Sequence, residues 1–584
     1  PMITIPMLDW VGKLGANRAK LASFSQAKYG AQTGNDAQWF PDAGNGILKS
    51  NGQNVTGNDP NDANVANTSA FQQQWVQAIV NKWGQASLGA PRYYVLDNEH
   101  SIWHSTHRDA HPTGANMDEV LARIKDYAAQ IRGTDPNALI VGPEEWGWSG
   151  YFFSGYDQQY GSLHGWSFLP DRNNHGGADY LPWLLGQLKA DGRHLLDAFT
   201  VHYYPQGGEF SSDTSTTMQL RRNQSTRSLW DPNYVDQTWI NDKVQLIPRL
   251  RGWVNNYYYP GTPIGITEYN WGAENHINGA TTQANILGIF GREGLDLAAR
   301  WTTPDASTPT YKAIKMYRNY DGNKSVFGDV SVSATGPNPD NVAVFAGQRT
   351  ADGALTVMVI SKYLSGSTPV SMALNNFAGN GTAQVYQLTS ANSITRLADL
   401  SYSANPVNLT SPAQSITLLV LPTGIPRMAP YPWSFATSPG ITFILFEGNI
   451  HSWRQIFMDG RKHPEDVNPT WYGHSIGRWD GDTLVVDTVG FNDKSWFDFR
   501  GHPHTDKLHT VERYTRKDFN TLVREILIDD PGAYSKPFTV TFTAKLMPKG
   551  ELMEYICQEN NKDVPHIIGP AGPGGGQVEP RAQR

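Results

Sequence analysis

RYYVLDNEHSIWH, residues 92–104, is the stretch that decides the fold. A short β-branched and aromatic run bounded by polar residues ends on an acid, Glu99, which predicts a buried strand delivering a carboxylate to a rim. PIGITEYNWG, residues 263–272, repeats the arrangement and ends its strand on Glu268. Around these two runs, residues 1–324 alternate strand-like and helix-like segments. Strands are predicted over 2–8, 93–99, 138–146, 198–205, 263–270 and 295–301, and helices over 68–83, 117–132, 178–191, 234–257, 280–292 and 308–320. Such alternation predicts an α/β fold of parallel strands with crossover helices. Acidic or aromatic residues at the strands' carboxyl ends predict the rim of a TIM-like (β/α) barrel, with six units rather than eight. Two acids presented this way point to glycoside hydrolysis, in which one carboxyl group protonates the leaving oxygen and another attacks the anomeric carbon or activates water.

Composition agrees and excludes other classes. The 584 residues suffice for two or three domains. With 47 Lys and Arg against 54 Asp and Glu, the net charge is −7 and no basic block exists, so a nucleic-acid groove is not expected. No run of 18 apolar residues predicts a membrane span. Aromatics form 11% of the chain, including 19 Trp and 26 Tyr, and many lie beside Gly and Asn, which suits stacking on sugar rings. The single cysteine, Cys557, excludes an internal disulfide framework and argues against thiol chemistry. No charged segment followed by an apolar stretch opens the sequence, so the signal peptide that extracellular work would need is expected either to have been removed already or never to have been part of this sequence.

PMITIPMLDWVGK (1–13), GNDPNDAN (57–64), VLDNEHSIWHSTHRDAHP (95–112), GPEEWGW (142–148), VHYYPQ (201–206) and TEYNWG (267–272) together resemble glycoside hydrolase family 44, over about residues 1–422. The resemblance implies a secreted bacterial enzyme, an endo-acting β-1,4-glucanase that degrades cellulose-type glucan, with xyloglucan and xylan as further candidate substrates. It implies a retaining barrel with the acid/base after the fourth strand and the nucleophile after the seventh, and no required cofactor. Glu99, following Asn98, would then be the acid/base and Glu268 the nucleophile. Counting YYVLDNE as the fourth strand makes PIGITEYN the seventh and MITIPML the third. The first two βα units are therefore absent; either the sequence is truncated or another part of the chain, or a partner in a homo-oligomer, closes the gap. The resemblance further implies that Asn98 bonds the sugar 2-hydroxyl, that His202 and Tyr204 orient Glu268, and that Trp301 floors the reacting sugar. Trp103, Trp146, Trp148, Trp166 and Trp271 are candidate stacking platforms.

Rival readings concern other acids and metals. Glu144, Glu145 and Glu274 are competing carboxylates, and Glu145 is placed to hold a sugar hydroxyl or pair with an arginine. His100, His104, His107 and His111 recur at spacings of four, three and four, a pattern that suits zinc, but Pro112 and Gly114 close the segment and no HExxH order occurs. A packed loop is the alternative. Asp59 and Asp62 lie in an Asn-rich turn whose oxygens suit calcium, and the resemblance implies a structural calcium nearby; an Asx-rich turn without an ion is the alternative. Besides the glucanase, a catalytically impaired carbohydrate-binding remnant and a metal-dependent hydrolase remain open.

After residue 324 the helical periodicity ends. NVAVFAGQR, LTVMVISKY, GTAQVYQL and SITLLVLP predict a β-sandwich of about eight strands over 325–422. The proline-rich segment 423–434 reads as a stiff linker. Beyond it the alternating runs and Asp-Gly and Pro-Gly turns of 423–584 predict a small all-β extension with no catalytic assignment. His502, His504, His509 and Asp506 read as a solvated loop rather than a metal site, and the Gly- and Pro-rich end reads as disordered. Tail strands or a second chain are expected to cover the open edge of the barrel.

Overall fold

The computed structural model describes residues 2–552 except 17–18, 88–91, 351, 376–380, 403–405, 423–431, 448–451, 495–501 and 548–549. Most of the 423–434 linker, Cys557 and the Gly- and Pro-rich end therefore lie outside the described residues. The chain forms two compact units, one comprising Pro1–Arg349, Leu355–Asn376 and Thr382–Leu421, the other Pro422–Arg584 with Thr350–Ala354 and Phe377–Gly381.

The first unit is built on a six-stranded parallel sheet: β1 (Met2–Ile5), β2 (Tyr93–Leu96), β3 (Leu139–Glu145), β4 (Ala198–Tyr203), β5 (Ile264–Tyr269) and β6 (Leu297–Arg300), hydrogen-bonded in that order. This is the open half-barrel of a TIM-like domain. Strand order equals chain order because each crossover carries the chain over one face to the next parallel position. The middle strands are buried on both sides, as parallel strands covered by helices must be; all six residues of β4 are buried.

The helices predicted from periodicity form as α1 (Ser69–Trp83), α2 (Met117–Thr134), α3 (Tyr180–Ala190), α4 (Leu246–Tyr257), α5 (Ile277–Glu293) and α6 (Pro309–Arg318). Their ends carry the expected signals. Thr68, Asn116 and Thr308 accept N-terminal amide protons of α1, α2 and α6, and Asp118 and Glu119 sit in the first turn of α2. The helix expected over 234–257 starts only at 246. In the preceding stretch Asp236 accepts from the Thr238 amide at 3.0 Å and from Ser228 Oγ at 2.8 Å, and such local side-chain bonds compete with helical ones.

The sandwich follows with eight strands: β7 (Val330–Val332), β8 (Val342–Gln348), β9 (Leu355–Ser361), β10 (Ser367–Met372), β11 (Gly381–Leu388), β12 (Ile394–Tyr402), β13 (Val407–Pro412) and β14 (Ser415–Leu421). Six pair in the order β7-β8-β9-β14-β11-β12, and β10 pairs with β13. Helix α5 is buried along most of its length because it lies between the parallel sheet and β8, β9 and β14. Gly288 permits this approach, since a Cβ there would overlap the Phe345 ring. Barrel and sandwich thus pack against each other within the first unit.

The second unit is an eight-stranded sheet, β15 (Trp433–Ser438), β16 (Ile441–Phe446), β17 (Trp453–Phe457), β18 (His474–Asp480), β19 (Thr483–Val489), β20 (His509–Asp518), β21 (Thr521–Asp529) and β22 (Phe538–Lys545), paired in chain order. All described tail strands pair with one another. Within this sheet β17 and β18 pair in parallel and the other neighbours are antiparallel. Among the described residues β1 has one strand neighbour, β2.

Candidate active site

The strand expected to carry Glu99 stops at Leu96. Asp97 and Glu99 adopt positive φ of 59° and 48°, and the chain turns into the 3-10 segment His100–Ile102. This turn, rather than the strand, presents Glu99 at the rim. The buried Asp97 carboxylate fixes it, taking the amide protons of Met7, Leu8 and Asn98 from the ends of β1 and β2. Burial raises the Asp97 pKa, and these backbone bonds oppose the rise.

Glu99 and Glu268 meet across His202. The Nδ1 of His202 lies 3.0 Å from Glu99 Oε1 and 3.6 Å from Glu268 Oε2. One ligating atom from each of the three side chains falls within 4.8 Å of the others. Behind them, His202 Nε2 lies 3.1 Å from Glu144 Oε2. The Tyr204 hydroxyl donates to Glu268 Oε2 at 2.8 Å. Strand β4 supplies His202 and, just past its end, Tyr204; β5 supplies Glu268.

The electrostatics follow from this packing. Burial by itself lowers the His202 pKa, but bonds to Glu144 and Glu99 and the charge of Glu268 outweigh it, raising it to about 10. Burial raises the Glu268 pKa, while His202 and the Tyr204 hydroxyl pull in the opposite direction. Burial and the bond to Glu268 keep the Tyr204 phenol protonated.

A cleft of about 500 Å³ opens at the chain that follows β5, lined by Phe210, Asn270, Glu274, His276 and Trp301, among others. Trp301 is 51% exposed, and its backbone N–H donates to the carbonyl of Tyr269 at 3.1 Å, next to Glu268. Asn270 donates to the Trp301 carbonyl and accepts from Arg300 Nη2 at 2.8 Å. Arg300 also pairs with Glu274 at 2.7 Å, which accounts for that rival acid.

Several predicted contacts do not survive. Trp103 is fully buried between His100 and His111, and Trp271 is 3% exposed with its indole N–H on Ser225 Oγ at 3.0 Å. Trp148 packs into the Tyr151, Phe152 and Arg249 cluster. These three are core aromatics, not stacking platforms. Trp146 is half-buried and bonded to Gln158 at 3.2 Å, whereas Trp166 is exposed and packs against Phe153. Glu145 is fully buried against His100 at 2.7 Å and Ser101 at 2.5 Å, out of reach of a sugar and with no arginine partner among the described residues. Asn98 stays at the rim beside Glu99; its carbonyl accepts the Trp103 indole proton at 3.1 Å.

The metal candidates dissolve into internal pairs. His100 bonds Tyr180 and Glu145, and His111 bonds Glu119 at 2.9 Å, so the histidine series does not converge. Both carboxylate oxygens of Asp62 accept from the Lys28 ammonium, at 2.6 and 2.7 Å, and one also accepts from Tyr29. Asp59 Oδ1 caps the Asn61 amide at 3.0 Å. An ammonium on Asp62 occupies the place of a cation, so these residues do not fit a calcium site. In the tail, His509 joins His463 on Asp487, at 2.9 and 3.1 Å, rather than joining His504.

Sequence reasoning treated Glu144 only as a rival acid and missed Thr200 and Thr267, whose hydroxyls donate to it. The available signal was an acid inside the apolar run ALIVGPEEW, where a charge requires buried partners.

A parallel (β/α) sheet with two facing carboxylates at its carboxyl rim is the architecture of the barrel glycoside hydrolases. The model of glycoside hydrolase family 44 matches residues 1–207. Endoglucanase A of Paenibacillus lautus is 36% identical over 291 residues, which are 47% of this chain and 40% of that protein. The chain thus spans less than half the length of that relative. The crystal structure of a bifunctional glucanase-xylanase from a metagenome library is similar at a TM-score of 0.71 and 71% identity, covering 72% of this chain and 82% of that one. A Paenibacillus polymyxa family 44 xyloglucanase, solved with xyloglucan, is similar at a TM-score of 0.55 and 30% identity, covering 60% and 70%. The chain belongs to glycoside hydrolase family 44.

Proposed function

We propose that this chain is a retaining, endo-acting glycoside hydrolase that cleaves β-1,4-linked glucan backbones. The observation that carries the reading is the approach of the Glu99 and Glu268 oxygens to within 4.8 Å, with His202 between them. Retaining enzymes hold their carboxyl groups about 5–5.5 Å apart, whereas inverting ones leave about 6.5–9.5 Å for a water molecule. Glu268 attacks the anomeric carbon as the glycosidic C–O bond breaks, and the leaving oxygen takes a proton from Glu99. Glu99 then removes a proton from water, whose oxygen displaces Glu268 and restores both carboxyl groups. Trp301, just past the end of β6 and bonded through its backbone to Tyr269, offers an exposed apolar face suited to the C–H face of a sugar ring. The relatives' glucanase, xylanase and xyloglucanase activities support a backbone of β-1,4-linked glucose, with xyloglucan and xylan as further candidates. A polymer too large to enter a cell places the activity outside it.

Reducing-sugar release from carboxymethylcellulose, xyloglucan and xylan, beside Glu99→Gln and Glu268→Gln, tests the reading. Loss by orders of magnitude in both variants, with the β anomer formed first by proton NMR, supports it. First formation of the α anomer refutes retention. A second reading, glycan binding without turnover, is favoured by the outer edge of β1, which lacks a strand partner among the described residues. Equal inertness of all three proteins, with oligosaccharide binding intact, would establish that reading.

A further inference from the structure

Glu144 is buried to 1% exposure, and two-carboxylate chemistry gives it no task. A buried carboxylate costs several kcal/mol unless it is paired and hydrogen-bonded. Here the partners are the hydroxyls of Thr200 on β4 and Thr267 on β5, and His202 Nε2 at 3.1 Å. Its own backbone has a positive φ of 62°, and its carbonyl accepts the Glu99 amide proton at 2.9 Å. One residue therefore touches β4, β5 and the turn carrying Glu99. Nothing in this arrangement reaches the cleft, since the carboxylate lies behind His202.

We infer that Glu144 is a positioning residue which, through His202, keeps a cationic N–H fixed between Glu99 and Glu268, so that the pair's single negative charge can pass from one to the other. The inference rests on the two-carboxylate reading. Retaining chemistry requires Glu268 ionised and Glu99 protonated at the start. Glycosylation neutralises Glu268 as an ester, transfers the Glu99 proton to the leaving oxygen and leaves Glu99 ionised. The charge has moved across His202 Nδ1, which lies 3.0 Å from one carboxylate and 3.6 Å from the other. A preorganised cation that serves both states needs little reorganisation at either step.

The surroundings of His202 agree. It faces Glu144 from β3, Glu99 from the turn after β2 and Glu268 from β5, while Tyr151 donates its hydroxyl to the His202 carbonyl and Tyr204 caps Glu268. Among the described residues its ion-pair partners are all carboxyl groups, and burial keeps both tyrosines protonated. With Nε2 committed to Glu144, a neutral ring would leave no proton at Nδ1 for an ionised carboxylate.

The test uses the full chain with Glu144→Gln, whose amide fills the same space without charge. Losing its fixed anion, His202 deprotonates at lower pH. The basic limb of kcat should move down by at least about one pH unit and kcat should fall about tenfold or more, with KM within about twofold. Unchanged limbs and rate in a folded variant overturn the inference. If the variant does not fold, the nitrogen-15 shifts of His202 in the wild-type protein decide: a doubly protonated ring at pH 7 supports the inference, and a neutral ring at that pH overturns it. Activity retained in Glu99→Gln and Glu268→Gln would instead refute the underlying functional reading.

Discussion

Removing the Tyr204 hydroxyl with Tyr204→Phe isolates one bond to the proposed nucleophile. In the structure that hydroxyl donates to Glu268 Oε2 at 2.8 Å, while the ring packs edge-on to Phe210 at 5.7 Å and would keep that contact as phenylalanine. A hydrogen bond to a charged group contributes about 1.5–3 kcal/mol. The Glu268 side chain is 17% exposed, so water replaces part of the lost bond and the lower end of that range applies. About 1.4 kcal/mol is tenfold in rate, so kcat/KM on the pH plateau should fall about tenfold. The same energy is about one pKa unit, and its sign is fixed. Burial already raises the Glu268 pKa and the Tyr204 bond opposes that rise, so removing the bond moves the pKa further up. Since the ionised form is the nucleophile, the acid limb of kcat/KM should shift to higher pH by about one unit. The assay is initial-rate hydrolysis of a soluble aryl cello-oligosaccharide from pH 4 to 9, with thermal unfolding as control. An unchanged acid limb at full stability would refute the assignment of Tyr204 as the group holding the Glu268 anion.

Three further outcomes are expected. Trp271→Ala should cost about 3–5 kcal/mol of stability in chemical denaturation, because the indole is core, whereas Trp301→Ala should leave stability within about 1 kcal/mol and impair turnover or KM. Chelation should leave melting temperature and activity unchanged, since Lys28 neutralises Asp62; a rise of several degrees on adding calcium would contradict the pairing seen here. In the tail, Glu512 is fully buried; burial by itself raises its pKa, but Arg454 and Arg524 outweigh that and hold it at about 2. A depressed carboxyl pKa contributes stability above the unfolded value and loses it as pH falls through the folded one. The tail should therefore lose about 3 kcal/mol between pH 4.5 and 2. Acid titration of tryptophan fluorescence should show this slope flattened in Glu512→Gln.

The agreement between sequence and structure is uneven for physical reasons. Strand and helix positions were legible because burial on one face or two imposes a period on apolar residues, and caps such as Thr68 and Asn116 mark helix starts. The segment 234–245 misled because its apolar spacing suits a helix while its Asp and Thr side chains bind the local backbone instead. Tryptophan beside glycine gave no guide to exposure. Trp146 and Trp148 flank the same glycine, yet one is half-buried and the other packs under Arg249.

By itself, the sequence determined the parallel (β/α) order, the β-sandwich after it and the two glutamates delivered near strand ends, because all three follow from local periodicity and strand-end chemistry. Tertiary structure alone decided that His202 stands between Glu99 and Glu268, that Glu144 anchors it from behind, and that Asp62 binds a lysine. Those contacts join residues from about 30 to more than 100 positions apart, and only the packing of neighbouring strand ends brings such residues within bonding distance.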